Sequence, residues 1–283
     1  MNELIGPPIK IAAVQIAPKL HDVPGNLKTI LHWSQTAAEV GVKVVLFPEC
    51  ALTGYVLESR QEAGAFSESV PGPATQQVSQ LCDRLGIYVV FGLIERAGEN
   101  LYNTAVVVGP SGFLERYRKI HLPGMGVDRF LDAGTEALSV ITLPDLDLRM
   151  GVQICYDGAF PEPSRVQALL GADLIVLPTN WPAGAEPLAD HVMSCRAIEN
   201  TVYTVAINRV GEEKGVTFIG RSGIYDPAGR TLSKASATAN IYIQADIETF
   251  RARNKRIIRV PGHQEFNRIA DRKPEFYGKI TEK

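Results

Sequence analysis

The chain has 283 residues, of which 45% are hydrophobic and 21% charged, ordinary values for a folded globular protein with a large buried core. Formal net charge is -2 and no lysine or arginine block stands out, which argues against nucleic acid or an anionic membrane as the principal partner. No apolar run approaches the length that crosses a bilayer.

Residues 1–10 hold Glu3 and two prolines and lack a basic start followed by an apolar run, so they do not read as a signal peptide. Residues 9–16 (IKIAAVQI) read as a strand, and residues 25–40, with Leu27, Ile30, Leu31, Ala37 and Ala38, have the spacing of an amphipathic helix. Residues 42–47 form a β-branched and apolar run of the kind buried in a sheet, stopping at Pro48-Glu49-Cys50. A helix over 74–85 and strands over 87–94 and 103–108 follow, the last ending at Gly109-Pro110-Ser111-Gly112.

Further on, Leu148, Met150, Val152 and Ile154 alternate as in a strand with one buried face, and Cys155-Tyr156-Asp157 breaks the pattern. Gly158, Pro161 and Pro163 lead into a helical stretch over 164–171, which puts Cys155 on a strand-to-helix turn. Such a turn can hold a side chain out of the sheet and leave the next backbone N–H free for a developing oxyanion. Residues 173–177 are another buried strand, ending in Pro178-Thr179-Asn180-Trp181. A helix over 189–200 and a strand over 203–207 ending at Asn208 come next. Short strands about 222–225 and 241–245 close the pattern, with Asp226-Pro227-Ala228-Gly229 as a turn between them. This is a layered α/β chain without linker, repeat or low-complexity tract, and 1–283 counts as one domain. Cys50, Cys82, Cys155 and Cys195 are scattered, without zinc spacing and too few for a disulfide scaffold, so a reducing compartment and a cytoplasmic protein are expected.

Glu49 lies just past the strand over 42–47, Lys119 sits in Arg116-Tyr117-Arg118-Lys119-Ile120-His121, and Cys155 ends its own strand. Strand ends are where α/β proteins collect ligand sites. Taken singly, each residue also fits a structural role: a helix cap for Glu49, solvated surface for Lys119, a small buried thiol for Cys155.

Together they resemble the nitrilase, or carbon-nitrogen hydrolase, superfamily, whose pattern is a Glu, a Lys and a Cys in that order. The first neighbourhood matches as Leu46-Phe47-Pro48-Glu49 with Thr53-Gly54-Tyr55, the second as Tyr117-Arg118-Lys119-Ile120-His121-Leu122, and the third as Cys155-Tyr156-Asp157 with Phe160-Pro161-Glu162. Gly171-Ala172-Asp173, Pro178-Thr179-Asn180-Trp181, Arg196-Ala197-Ile198-Glu199-Asn200, Asn208-Arg209-Val210-Gly211 and Asp226-Pro227-Ala228-Gly229 match as well. The resemblance implies a four-layer α-β-β-α sandwich of two mixed sheets, commonly paired with a second subunit through helices of one outer layer. Residues 250–283 are then a C-terminal extension expected to pack on that partner, making a homodimer or higher homo-oligomer.

The resemblance further implies a cysteine-dependent hydrolysis. A free thiol with pKa near 8.5 is only about 3% ionised at pH 7, so Cys155 is expected to draw on Glu49 as base and on Lys119 as a nearby positive charge. Glu49 would take the thiol proton, pass it to departing ammonia and then activate the water that cleaves the thioester. Lys119 and the Tyr156 backbone N–H would hold the oxyanion. No metal and no cofactor is needed. Where many members have a second glutamate after the lysine, this sequence offers Asp128, whose shorter arm needs a shifted backbone to reach Lys119; Glu136 is a second candidate. Tyr55, Tyr156, Asn180 and Trp181 are the candidate substrate contacts.

Cys-Tyr-Asp resembles the amidase and carbamoylase branches, where true nitrilases typically have Cys-Trp-Glu. A small linear carboxamide is therefore the expected substrate, an N-carbamoyl compound the alternative, and a nitrile third. Gly158 and Ala159 stand where members acting on acidic amides often have an arginine, with Arg165 or Arg129 as possible substitutes. Arg196 and Glu199 read as a structural ion pair on a helix. His121 and His191 have no His-Asp arrangement nearby in sequence and read as hydrogen-bonding or surface residues. A non-catalytic scaffold would have no chemical reason to keep all three residues, and no Gly-x-Gly-x-x-Gly follows the first strand to support dinucleotide binding.

Overall fold

In the central strands both faces are buried, which is why they read as near-continuous apolar runs. The structure, a computed structural model, describes residues 6–282; the reading of residues 1–10 as lacking a signal peptide falls partly outside the described residues. In the first sheet β1 (Ile9–Gln15), β2 (Val44–Leu46) and β3 (Tyr88–Ala97) run parallel. β4 (Asn100–Gly109) and β5 (Gly112–Arg118) extend it antiparallel on one side, and β14 (Ile241–Ile247) on the other.

The second sheet repeats the plan. β7 (Leu148–Val152), β8 (Leu174–Thr179) and β9 (Tyr203–Asn208) run parallel, with β6 (Ile141–Leu143) antiparallel at one side and β12 (Gly223–Tyr225) and β13 (Thr231–Lys234) at the other. Parallel neighbours need crossovers. These are α1 (Val23–Glu39) between β1 and β2, α2 (Arg60–Ala65) and α3 (Pro73–Leu85) between β2 and β3, α4 (Pro161–Leu169) between β7 and β8, and α5 (Met193–Asn200) between β8 and β9. Hairpin β10 (Val210–Glu213) and β11 (Val216–Ile219) leaves the second sheet; α6 (Thr249–Arg253) and hairpin β15 (Ile257–Val260) and β16 (Gln264–Phe266) close the chain.

Alternation along each strand divides the core. Ile9, Ile11 and Ala13 with Val44, Leu46 and Val90 meet Met150, Val152, Val176 and Val205 between the sheets. Ala12, Val14, Val45, Phe47, Val89 and Phe91 face outward, against Leu27, Ile30 and Ala37 of α1 and Ala74, Val78 and Cys82 of α3. Fully burying one such aliphatic side chain is worth about 1.5–3 kcal/mol. The observed layers are those of the α-β-β-α sandwich expected.

Among the elements that depart from the reading are two helices and an edge strand. The helix expected over 164–171 starts at Pro161, because proline fits the first helical turn, where no intrahelical N–H is lost. The helix expected over 189–200 is a π-helical turn, Leu188–Val192, running into α5. β5 was not anticipated, since GFLERYR is half exposed at the sheet edge and its charges hide the period.

Candidate active site

Glu49 follows β2 into a tight turn. The ladder continues past the strand through Phe47 N–H to the Val90 carbonyl and Gly92 N–H to the Pro48 carbonyl, and then Cys50 turns at φ 48°. The crossing requires a glycine on β3: a Cβ on Gly92 would lie 2.4 Å from the Cys50 nitrogen and 2.8 Å from the Glu49 Cα. Lys119 N–H donates to the Asn103 carbonyl at 2.9 Å, so the β4–β5 pairing runs one residue on and sets Lys119 beside Asn103.

Asp128 comes from a 3-10 turn, Gly126–Phe130, started by Gly126 at φ 52°, where a Cβ would lie 2.2 Å from the Tyr55 ring. Val127 N–H bonds the Tyr55 carbonyl at 2.9 Å, which fixes this turn on the loop after β2. Cys155 begins a 3-10 turn, Cys155–Ala159, after β7 and stands at φ 46°. Its turn is held by Asp157, which accepts from Ile154 N–H at 2.9 Å, Tyr117 Oη at 2.8 Å and the backbone N–H of His121 at 3.1 Å, and pairs with His121 Nδ1 at 2.8 Å.

Around Lys119 two carboxylates converge, one from 70 residues away and one from nine. Nζ lies 2.7 Å from Glu49 Oε1 and 2.7 Å from Asp128 Oδ2, all three side chains being fully shielded. Tyr55 Oη donates to Asp128 Oδ2 at 2.8 Å. From the second sheet Asn180 Nδ2 donates to the Glu49 carbonyl at 3.0 Å. Glu49 Oε2 is buried with no partner among the described residues. Cys155 keeps 9% of its surface open.

One ammonium is shared by two carboxylates, and the electrostatics follow from that. Burial raises the Glu49 carboxyl above its ordinary range; Lys119 pulls it back, Asp128 pushes it up again, and Asn103 also lowers it. Burial works to lower Lys119, but Glu49 and Asp128 together hold it well above its ordinary value, so it remains an ammonium. The Cys155 thiol is pushed up to about 12, by burial first and the Glu49 charge second, with Lys119, the Thr179 side chain and the Asn180 backbone acting the other way. The nearby positive charge expected to favour the thiolate is thus outweighed by burial and by the Glu49 charge.

The profile of the family described as "Carbon-nitrogen hydrolase" matches residues 10–256. The chain belongs to the carbon-nitrogen hydrolase family. A protein of Pyrococcus abyssi named "Nitrilase" is 39% identical over 271 residues, 95% of this chain and 99% of that one. The omega-amidase of Danio rerio is 36% identical over 240 residues, 79% of this chain and 82% of that one. Among solved structures, an amidase from Nesterenkonia sp. superposes with a TM-score of 0.80 over 99% of this chain and 100% of that one; at 23% identity this likeness speaks for the fold alone. The chain is accordingly a hydrolase of C–N bonds with the nitrilase-superfamily sandwich.

The other named residues fall into place unevenly in this carbon-nitrogen hydrolase. Asp128 reaches Lys119 at 2.7 Å from its 3-10 turn, while Glu136 pairs with Arg118 at 2.7 Å. Tyr55, expected at the substrate, is 1% exposed and commits its hydroxyl to Asp128, which places it behind the cluster. Asn180 and Trp181 are buried, and Asn180 Oδ1 and Trp181 Nε1 have no partners among the described residues. Tyr156 is exposed and meets Phe160 edge-on at 5.1 Å. Arg196 pairs with Glu199 at 3.1 Å as read. Arg129 bonds the Gly126 carbonyl, and Arg165 bonds the Glu199 carbonyl through Nη2 while its buried Nη1 has no partner among the described residues.

Sequence reasoning passed over three features. His121 has an aspartate partner after all, Asp157, and stacks on Phe160 at 4.0 Å. Arg209 and Glu213, both buried, form an ion pair, and Glu213 Oε2 accepts the N–H groups of Tyr55 and Val56 at 2.9 Å, pinning the loop that carries Tyr55. Asn103 was read only as the start of a strand. The signals were weak: Arg209 and Glu213 are four residues apart, but the other contacts join segments far apart in sequence.

Proposed function

We propose that this hydrolase converts a small linear carboxamide to its carboxylic acid and ammonia through a thioester on Cys155. The observation that carries the reading is Glu49 Oε2, a buried carboxylate oxygen without a partner among the described residues, in a cluster where Glu49 Oε1 and both Asp128 oxygens are occupied. An unused buried base suits a reaction that needs one proton moved several times.

In this mechanism Cys155 sulfur attacks the amide carbon while its proton passes to Glu49 Oε2. The carbonyl oxygen becomes an oxyanion facing the Lys119 ammonium and the Tyr156 backbone N–H, a well-placed donor being worth about 3 kcal/mol. Glu49 then protonates the nitrogen as the C–N bond breaks, and ammonia leaves. Water adds to the thioester, giving a proton to Glu49, and the C–S bond breaks with that proton returning to sulfur. Lys119 takes no part in the proton traffic, because its carboxylate neighbours keep it charged. Asn180 Oδ1 and Trp181 Nε1, buried and unpaired, offer an acceptor and a donor to the substrate, and exposed Tyr156 offers a ring at its side.

A nitrile is the second reading, favoured by the name of the 39% identical Pyrococcus abyssi relative; hydrolysis of an N-carbamoyl compound is a further alternative. An ammonia-release screen across aliphatic amides, amino-acid amides, carbamoyl compounds and nitriles, beside a Cys155→Ala control, separates them. Turnover of nitriles with none of amides would overturn the amidase reading.

The same reading takes the chain as one domain, 1–283, located in the cytoplasm and paired with a second copy. No helix among the described residues is long and apolar enough to cross a membrane. In support of pairing, Phe276 is 79% and Ile280 62% exposed in the C-terminal segment, and Leu169 and Leu170 are exposed at the end of α4. Sedimentation of the full chain as a monomer at micromolar concentration would count against it.

A further inference from the structure

We infer that Asn103 is a positioning residue, whose single amide group holds Glu49 and Asp128 on either side of Lys119 and leaves Glu49 Oε2 free to act. The inference rests on the reading of Glu49 as the base. Asn103 Nδ2 donates to Glu49 Oε1 at 2.7 Å and to Asp128 Oδ1 at 2.9 Å, and the residue is fully buried in β4. An amide nitrogen has two hydrogens, and here each meets a carboxylate.

The opposite orientation of the amide would set its oxygen against both carboxylates. A third residue guards against that. Cys50 Sγ lies 3.7 Å from Asn103 Oδ1 with its S–H donating. Burial, and then the charges of Glu49 and Asp128, push the Cys50 thiol well above its ordinary value, so it can act only as a donor there. The Cys50 thiol therefore has a task distinct from that of Cys155.

The consequence for Glu49 is geometric. With Oε1 bonded by Lys119 Nζ and Asn103 Nδ2 from two sides, the carboxyl plane cannot turn without losing a bond, and Oε2 stays the open oxygen. Without Asn103, two buried carboxylates share one ammonium and lose the bridging donor. Ionised Glu49 is then less favoured, and its plane is free to rotate.

The test uses the full chain with Asn103→Leu, close in volume and without donors, and Asn103→Ser, which keeps one. The readout that needs no known substrate is the pH dependence of Cys155 alkylation by iodoacetamide, followed by peptide mass spectrometry, with Glu49→Gln as reference. The acid limb of the wild-type profile is expected to move to higher pH by on the order of one unit in Asn103→Leu and by less in Asn103→Ser. On the amide found by the screen, kcat should fall by on the order of 10²-fold with KM changed by no more than about twofold. If Asn103→Leu does not fold, the same comparison is read on Asn103→Ser. A limb that coincides with wild type in the folded variant overturns the inference. A Glu49→Gln profile identical to wild type instead removes the base assignment, and this inference with it.

Discussion

The side-chain amide of Asn180 donates to the backbone carbonyl of Glu49 at 3.0 Å, joining the end of β8 to the turn after β2. Each belongs to a different sheet, and Cys155, three positions after Val152 at the end of β7, begins the turn that follows this neighbour of β8. The bond therefore couples one sheet to the carboxylate proposed as the base on the other. In Asn180→Ala the Glu49 carbonyl loses its donor in a buried place, which costs about 1–3 kcal/mol. Urea unfolding should show that loss, together with a fall in kcat at saturating amide; wild-type stability would mean the bond ties nothing.

Cys155→Ala and Glu49→Gln should both leave a folded protein. The first removes the sulfur and is expected to release no ammonia. The second keeps a planar group in the same space but no base, and kcat should drop by about 10²–10⁴-fold. Circular dichroism beside the ammonia assay checks both, and near-normal turnover in either variant contradicts the roles given to them.

Lys119→Met removes the ammonium and leaves Glu49 and Asp128 as unpaired buried carboxylates. Breaking a buried pair from one side typically costs about 3–5 kcal/mol. The variant is expected to be both inactive and markedly less stable, and its stability should improve as pH falls and the carboxyls take up protons. A stability that is flat with pH would show that the two acids do not depend on Lys119.

Activity and stability should respond to pH in opposite directions through Glu49. Its carboxyl is raised above 4.5 by burial and by Asp128 against the pull of Lys119 and Asn103. As a base it works only ionised, so kcat/KM is lost as pH falls through the raised value, and the acid limb lies above 4.5. For the fold the sign reverses: the protonated form is favoured, so the Glu49 contribution to stability is complete below the unfolded value and lost as pH rises through the raised one. Because the Cys155 thiol is pushed to about 12, no thiolate plateau is expected near the ordinary cysteine value. A pH–rate series together with thermal melts distinguishes these trends.

Asp157→Ala should slow the reaction without touching substrate. Asp157 is fully buried and holds Ile154 N–H, Tyr117 Oη and His121, so its loss releases the turn on which Cys155 sits. Several bonds to one buried charge go together, and a loss of about 3 kcal/mol is expected. Asp157→Asn, which keeps the shape, should recover part of the stability in the same denaturation experiment.

The central strands were legible because burial on both faces leaves an uninterrupted apolar run, as in Val44–Leu46 and Leu174–Thr179. Edge elements were not: β5 and the β10–β11 hairpin carry charges that mask their period. In the site, Glu49, Lys119 and Cys155 could be picked out because their neighbourhoods match a family pattern. Asn103 could not, since an amide between Tyr102 and Thr104 has no chemical signature until β5 brings Lys119 beside it. The His121–Asp157 pair was missed for the same reason, the two residues being brought together by the meeting of the sheets.

The division of the site between two sheets has a consequence for how the molecule acquires its chemistry. Sulfur rides on one half and its proposed proton acceptor on the other, so a chain caught with either sheet assembled alone would show ordered backbone yet be inert. Turnover is then a gauge of the last docking event in refolding, and regained catalysis should trail the recovery of the far-ultraviolet signal.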